Sequence, residues 1–224
     1  MSIRKKVLIL TLTLTTLSIN GVTMAQIVNN PQRVYDFNKE ADRTEAMNLG
    51  FYGTGPDAIT LAKSTLGDLN PMEELLIKHE GFTTVPYLDT KKIKTIGVGQ
   101  TGDYYDPIDI KTGFKKAVAD KMEAAGNEFG DIFKSSAPLQ QGAILSLLYR
   151  GDTRHRKGSK KGELYKWVGK YKDARTSNDP AKLDNAFEEF WDNKEYKDLM
   201  VDNPNSGVLT RIRENSEILF GKTK

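Results

Sequence analysis

The 224-residue chain contains no cysteine and only two histidines, His79 and His155. The first absence excludes a disulfide framework, a thiol nucleophile and a cysteine-bound zinc site. The second makes a histidine-rich metal centre or a Ser/His/Asp enzyme a poor fit. No Gly-rich loop runs into Lys-Ser/Thr at a helix start, so no nucleotide site is expected. No metal and no cofactor are implied. A single-sign charge excess is missing from most of the chain as well. The net charge of +3 is carried by Arg4, Lys5 and Lys6 in a first stretch without acids. From residue 26 onward basic and acidic residues balance, which argues against nucleic acid as a partner. Hydrophobic residues make up 38% of the chain, enough for a packed core. The length suits one domain of ordinary size with an extension.

The first 25 residues read as an export signal. Arg4-Lys5-Lys6 is followed by an apolar run from Val7 to Ile19 threaded with threonines, and Val22-Thr23-Met24-Ala25 supplies a small-residue cleavage site before Gln26. No charge occurs from Val7 to Gln32, a stretch long enough to span a bilayer. A retained, weakly hydrophobic anchor is therefore the other reading. Either way the expected destination is the periplasm or the exterior, with transient membrane contact through the N-terminus and a tether if the segment stays.

Residues 26–69 read as an N-terminal extension. Asn30-Pro31 starts a helix with a thin apolar stripe of Val34, Phe37, Ala41 and Met47, and Asp57 to Leu66 forms a second, stopped by Gly67. Its role is either that of a packing arm or spacer, or that of a docking element for a virion or inhibitor partner. Residues 70–224 form the dense domain. Asn70-Pro71-Met72-Glu73 is a helix start and Gly81 a helix stop. Phe82 to Gly99 reads as a hairpin around Asp89-Thr90-Lys91-Lys92. Thereafter the pattern is helical: one helix capped near Thr112, a central core helix from Pro138, and others over 164–173, 179–192 and 208–220. One small hairpin among many helices gives an α+β class.

The chemistry concentrates around that hairpin. Glu80 ends a helix whose apolar face enters the core, so its carboxyl is partly desolvated, which favours the protonated form. Asp89 closes one strand, and Thr95 lies on the other. A protonated acid, an ionised carboxylate and a hydroxyl around one groove suit hydrolysis of a glycosidic bond. Taken singly, each residue has a plainer role: a solvated helix end, a turn former and a strand threonine.

Glu80-Gly81, Tyr87-Leu88-Asp89 and Thr95-Ile96-Gly97-Val98-Gly99 together resemble the lysozymes of tailed phages (glycoside hydrolase family 24). The resemblance extends over about residues 70–222. It implies a lysozyme-like fold with the small sheet beside the active-site cleft. It also implies a muramidase that cleaves the β-1,4 bond between N-acetylmuramic acid and N-acetylglucosamine in peptidoglycan, with Glu80 as general acid, Asp89 as water-activating carboxylate and Thr95 holding the water. Inversion then requires the two carboxyls to stand about 6.5–9.5 Å apart. Substrate contacts are implied at Gln100, which stands where the family often has His, and at Arg150, which follows the core helix. The C-terminal segment is similar to the family's last helix, but Arg211 and Arg213 are separated by Ile212, and either is a candidate partner for Glu80. Tyr149-Arg150-Gly151-Asp152 and Phe190 to Tyr196 look more like the pesticin-like branch, so host lysis, cell entry and toxin action all remain open. The competing reading is a non-catalytic wall-binding or virion structural protein with the same fold.

Two further features have ordinary explanations. Residues 150–175 hold ten Lys and Arg against three acids, with Tyr165, Trp167 and Tyr171 interleaved. The readings are a solvated charged face, a surface for anionic cell wall or lipid, or a nucleic-acid contact. His79 adjoins Glu80, but neighbours on a helix point in different directions, so packing is the expected role rather than proton relay.

Overall fold

The computed structural model describes residues 18–19, 22–23, 33–150 and 166–224. The chain forms two compact units, residues 1–33 and 34–224. In the first, strands β1 (Ser18–Ile19) and β2 (Val22–Thr23) pair antiparallel. The rest of the expected signal segment, like most of the basic stretch 150–175, lies outside the described residues. None of the described helices is long and apolar enough to cross a membrane.

The second unit is mostly helical with a small mixed sheet, an α+β arrangement. The expected single hairpin is present as β5 (Phe82–Leu88) and β6 (Lys94–Gly97), but it is only half of the sheet. β3 (Tyr35–Asp36) pairs parallel with the far end of β5, and β4 (Tyr52–Gly53) pairs antiparallel with its beginning. Two short strands from the extension thus cover the β5 edge that β6 leaves bare, where unpaired backbone groups would otherwise face solvent. The helix expected from Asn30-Pro31 is accordingly displaced. α1 spans Glu40–Asn48 and buries Ala46 rather than Met47. Phe37 lies outside it and stacks on Tyr87, ring centroids 4.3 Å apart. Residues 34–69 are therefore built into the same unit as the hairpin.

The remaining helices are α2 (Gly55–Leu66), α3 (Pro71–Glu80), α4 (Ile110–Phe129), α5 (Asp131–Ser135), α6 (Pro138–Arg150), α7 (Lys166–Ser177), α8 (Pro180–Trp191), α9 (Lys194–Asp202) and α10 (Gly207–Phe220). Local chemistry sets their ends. At α3, Asn70 Oδ1 accepts from the Glu73 amide at 3.0 Å, and Glu73 Oε2 accepts in return from the Asn70 amide at 3.2 Å. This is a reciprocal cap on two orphan donors. Gly81, with φ of 78°, ends the helix and turns the chain into β5. Asp109, not Thr112, caps α4, accepting from the Thr112 amide.

Helix α6 is the centre. Its residues from Gly142 to Leu148 are all buried. It crosses α3 closely, because a Cβ on Gly142 would stand 3.1 Å from Met72 Cα and 3.2 Å from the Met72 carbonyl oxygen. On another flank α10 buries Leu209, Ile212, Asn215, Ser216 and Leu219. An aromatic cluster of Trp167, Phe190, Tyr196 and Phe220 fills the core under α7 to α10. The end of α3, the middle of α6 and one face of α10 meet at one junction.

Candidate active site

Glu80 is the last residue of α3, and its side chain keeps 24% of its exposure. It does not sit among apolar groups alone: Arg211 Nη2 of α10 donates to its Oε1. Arg213 points the other way, donating to the carbonyls of Pro204 and Lys224. Two residues apart on a helix, these arginines face nearly opposite sides, and the packing of α10 selects Arg211.

Arg211 is held by Ser146 of α6. Its Nε donates to Ser146 Oγ at 2.9 Å, and its Nη2 donates to the Ser146 carbonyl at 2.6 Å. His79 Nδ1 lies 2.8 Å from the same hydroxyl, and His79 Nε2 lies 3.0 Å from Glu214 Oε2. Asn215 Nδ2 donates to Ser146 Oγ at 3.0 Å, and Lys78 Nζ to Glu214 Oε1 at 2.6 Å. Burial lowers the His79 imidazole to about 4, even though Glu214 pulls the other way, so the ring is neutral near pH 7. Burial pushes the Glu214 carboxyl up, but hydrogen bonds from Lys78 and His79 outweigh it and hold the group below its ordinary value.

Asp89 begins the turn between β5 and β6. Its Oδ1 accepts from the amides of Lys91 and Ile93, both at 2.8 Å. The turn-forming role is therefore real, and it uses one carboxylate oxygen. Oδ2 has no hydrogen-bond partner among the described residues. The extension braces this turn from outside: Asn38 Nδ2 donates to the Asp89 carbonyl at 2.8 Å, and Lys92 Nζ pairs with Asp36. Lys92 itself adopts a φ of 61°, a conformation costly for a side-chain-bearing residue.

Thr95 pairs across the sheet with Tyr87, so the two side chains share a face. Its hydroxyl donates to the Ile93 carbonyl at 3.0 Å, which leaves the oxygen lone pairs unfilled, and the residue is 2% exposed. Tyr87 reports on both acids. Burial pushes its phenol well above the ordinary value, and negative charge on Tyr52, Asp89 and Glu80 adds to the effect. Glu80 and Asp89 therefore lie within electrostatic reach of one ring.

Gln100 and Arg150 are placed differently from Glu80 and Asp89. Gln100 is 2% exposed, and its amide is committed at both ends: Oε1 accepts from the Val98 amide and Nε2 donates to the Ile110 carbonyl. Its side chain fixes the loop after β6 rather than presenting a hydrogen-bonding group to a ligand. Gly97 makes room for it, since a Cβ there would fall 1.7 Å from Gln100 Oε1. Arg150 Nη2 donates to Glu195 Oε1 of α9 at 2.7 Å. A cleft of about 210 Å³ opens beside this loop, lined by Gly99, Thr101, Tyr104, Lys121 and Tyr149 among others. Burial pushes the Tyr149 phenol up, and the charge of Glu80 adds to the effect.

The sequence reading misses Ser146, Glu214 and Asn215. Ser146 carries a visible signal, a lone hydroxyl inside the apolar run from Ala143 to Leu148. Among the described residues no cluster of His, Asp or Glu is arranged to hold a metal ion. No family model, curated protein or solved structure matches the chain.

Proposed function

We propose that the chain is an exported peptidoglycan hydrolase, a muramidase of lysozyme-like fold that cleaves the β-1,4 bond between N-acetylmuramic acid and N-acetylglucosamine. The observation that supports this best is that two carboxyls, both within electrostatic reach of Tyr87, are held in different ways. Glu80 is half-buried at a helix end and gripped by Arg211, whereas Asp89 is pinned by two turn amides with its second oxygen unused. Two carboxyls in unlike environments are what separate acid and base roles require.

In this reading Glu80 gives its proton to the leaving glycosidic oxygen. A water between the sheet and the sugar donates one hydrogen to Asp89 Oδ2 and the other toward a Thr95 lone pair, and its own lone pair attacks the anomeric carbon. The Thr95 hydroxyl is already turned toward Ile93, so the threonine can accept from that water. Departure of the sugar returns a neutral leaving alcohol, an ionised Glu80 and a protonated Asp89. The net reaction consumes one water and inverts the anomeric centre. Peptidoglycan is the substrate partner. The biological setting is a bacteriolytic one, host lysis, cell entry and toxin action all using the same chemistry.

Purified peptidoglycan, or outer-membrane-permeabilised Gram-negative cells, provides the test. The full-length protein should clear turbidity and release reducing ends, and NMR of the first product should show the α-anomer. A protein that binds the wall without releasing reducing ends is instead the non-catalytic wall-binding protein. A β-anomer as first product replaces the water mechanism with a covalent one.

A further inference from the structure

Ser146 Oγ meets three nitrogen atoms: Arg211 Nε at 2.9 Å, Asn215 Nδ2 at 3.0 Å and His79 Nδ1 at 2.8 Å. A hydroxyl has one proton and two lone pairs. The guanidinium and the amide nitrogen only donate, so they fill both lone pairs. The hydroxyl proton is left for His79 Nδ1, which must accept it. The imidazole proton is then on Nε2, facing Glu214 Oε2 at 3.0 Å.

The same assignment follows from the opposite end of the network. Glu214 already accepts from Lys78 and is held in its ionised form, so it requires an N–H from His79 rather than a lone pair. The Asn215 orientation is fixed by the same chain. Its Oδ1 is buried without a partner. Turning the amide over would draw the Ser146 proton to Asn215 and force His79 to carry its proton on Nδ1. Its bare Nε2 would then face a carboxylate.

We propose that His79 is a positioning residue for Glu80, acting through Ser146 and Arg211 with its Nδ1 unprotonated. The proposal rests on the reading of Glu80 as the general acid. Ser146 locates the guanidinium by two atoms, its hydroxyl and its carbonyl, and the remaining Nη2 hydrogen reaches Glu80. A protonated imidazole would bring a third donor to a hydroxyl with two lone pairs, and one donor must then let go. When that donor is Arg211 Nε, the guanidinium is held by the Ser146 carbonyl alone and its aim at Glu80 is loosened. The charged groups facing His79 are Glu214 and Arg211 from α10 and Lys78 from its own helix; from α6 it meets the Ser146 hydroxyl. Burial keeps the ring neutral until about pH 4, so the arrangement holds at neutral pH.

Two variants of the full-length protein separate this role from simple packing. In His79→Asn the side-chain oxygen takes the place of Nδ1 and still accepts from Ser146. In His79→Gln the amide reaches Glu214 instead and leaves the Ser146 proton without its acceptor. The readouts are the 13C NMR titration of the Glu80 carboxyl, and kcat and KM on soluble peptidoglycan fragments. The Asn variant should keep kcat within about threefold and leave the Glu80 titration in place. The Gln variant should lose about tenfold or more in kcat at nearly unchanged KM, with the Glu80 titration displaced, an effect of the size that supporting hydrogen bonds have on functional groups they orient. Identical Glu80 titrations in all three proteins overturn the proposal, as does a Gln variant that outperforms Asn. If the wild type lacks hydrolytic activity while its Glu80 titration responds to Gln and not to Asn, the positioning role stands and the glycosidase reading falls. Should the Gln variant not fold, the wild type carries the test on acidification. The Arg211 Nε–H resonance should change with the midpoint of the His79 ring, and an Arg211 signal that stays fixed through that titration overturns the proposal.

Discussion

Asn38 and Asp89 lie 51 positions apart in the chain and are joined by one hydrogen bond, 2.8 Å from the asparagine amide nitrogen to the aspartate carbonyl. The bond ties the segment after β3 to the turn that carries the second carboxyl. Asp36 reinforces it through Lys92, whose hydrogen bonds hold the Asp36 carboxyl down at about 2. Asn38→Ala should therefore leave the fold intact, with a stability loss below about 1 kcal/mol for one exposed hydrogen bond. It should lower kcat several-fold because the Asp89 turn is held less closely. Thermal melts together with kcat on cell-wall substrate check both halves of the expectation.

Glu80→Gln should lower hydrolysis by about 10²–10⁴-fold, the usual cost of losing a required proton donor. Retention of a tenth of the wild-type rate would remove Glu80 from the role of acid. The effect on stability is smaller. The new amide oxygen can still accept from Arg211, and Arg211 keeps its bond to the Ser146 carbonyl. A change of about 1 kcal/mol in a denaturant titration is expected.

How far the sequence foretells these relationships depends on the range of the interaction. The α3 ends are legible because caps are local: Asn70, Pro71 and Gly81 act within one turn. Asp89 as turn former is legible for the same reason. The partner of Glu80 is not, since Arg211 is 131 positions away. Even so, Leu209, Ile212 and Ser216 mark the buried face of α10. Arg211 and Arg213 fall on opposite flanks of that face, so the helical period separates them but does not say which one meets Glu80. β3 and β4 are illegible for a different reason. A two-residue strand has no alternation to detect, and only the β5 edge it covers explains it.

His79 makes stability depend on pH. Its folded value of about 4 lies below the ordinary 6.5, so the unfolded chain binds a proton in that interval that the folded one refuses. The contribution is complete above about pH 6.5 and is lost as pH falls toward 4, with an upper size on the order of 3 kcal/mol. Glu214, held low, adds to the loss at the acid end. Urea titrations at pH 7 and pH 4.5 should show the fall, and His79→Asn should flatten it over that interval.

Gly142→Ala should destabilise the protein by about 1–3 kcal/mol through overpacking. Its methyl would press on the Met72 backbone at 3.1–3.2 Å, and a backbone cannot rotate away as a side-chain tip does. Chemical denaturation gives the size. A compensating trim of the neighbouring Leu75 side chain should not restore stability, because the Met72 backbone contact would remain.

The network around Ser146 has a consequence for the order in which the protein is made. Arg211 is synthesised 131 positions after Glu80, and Ser146, which joins them, is made between the two. Closure across so much chain is slow compared with helix formation. A nascent chain on the ribosome can form α3 and its cap well before α10 has left the exit tunnel, yet its acid then has no guanidinium to meet. The carboxyl therefore meets its guanidinium only after α10 has been made, and a copy cut short before Arg211 lacks that contact altogether.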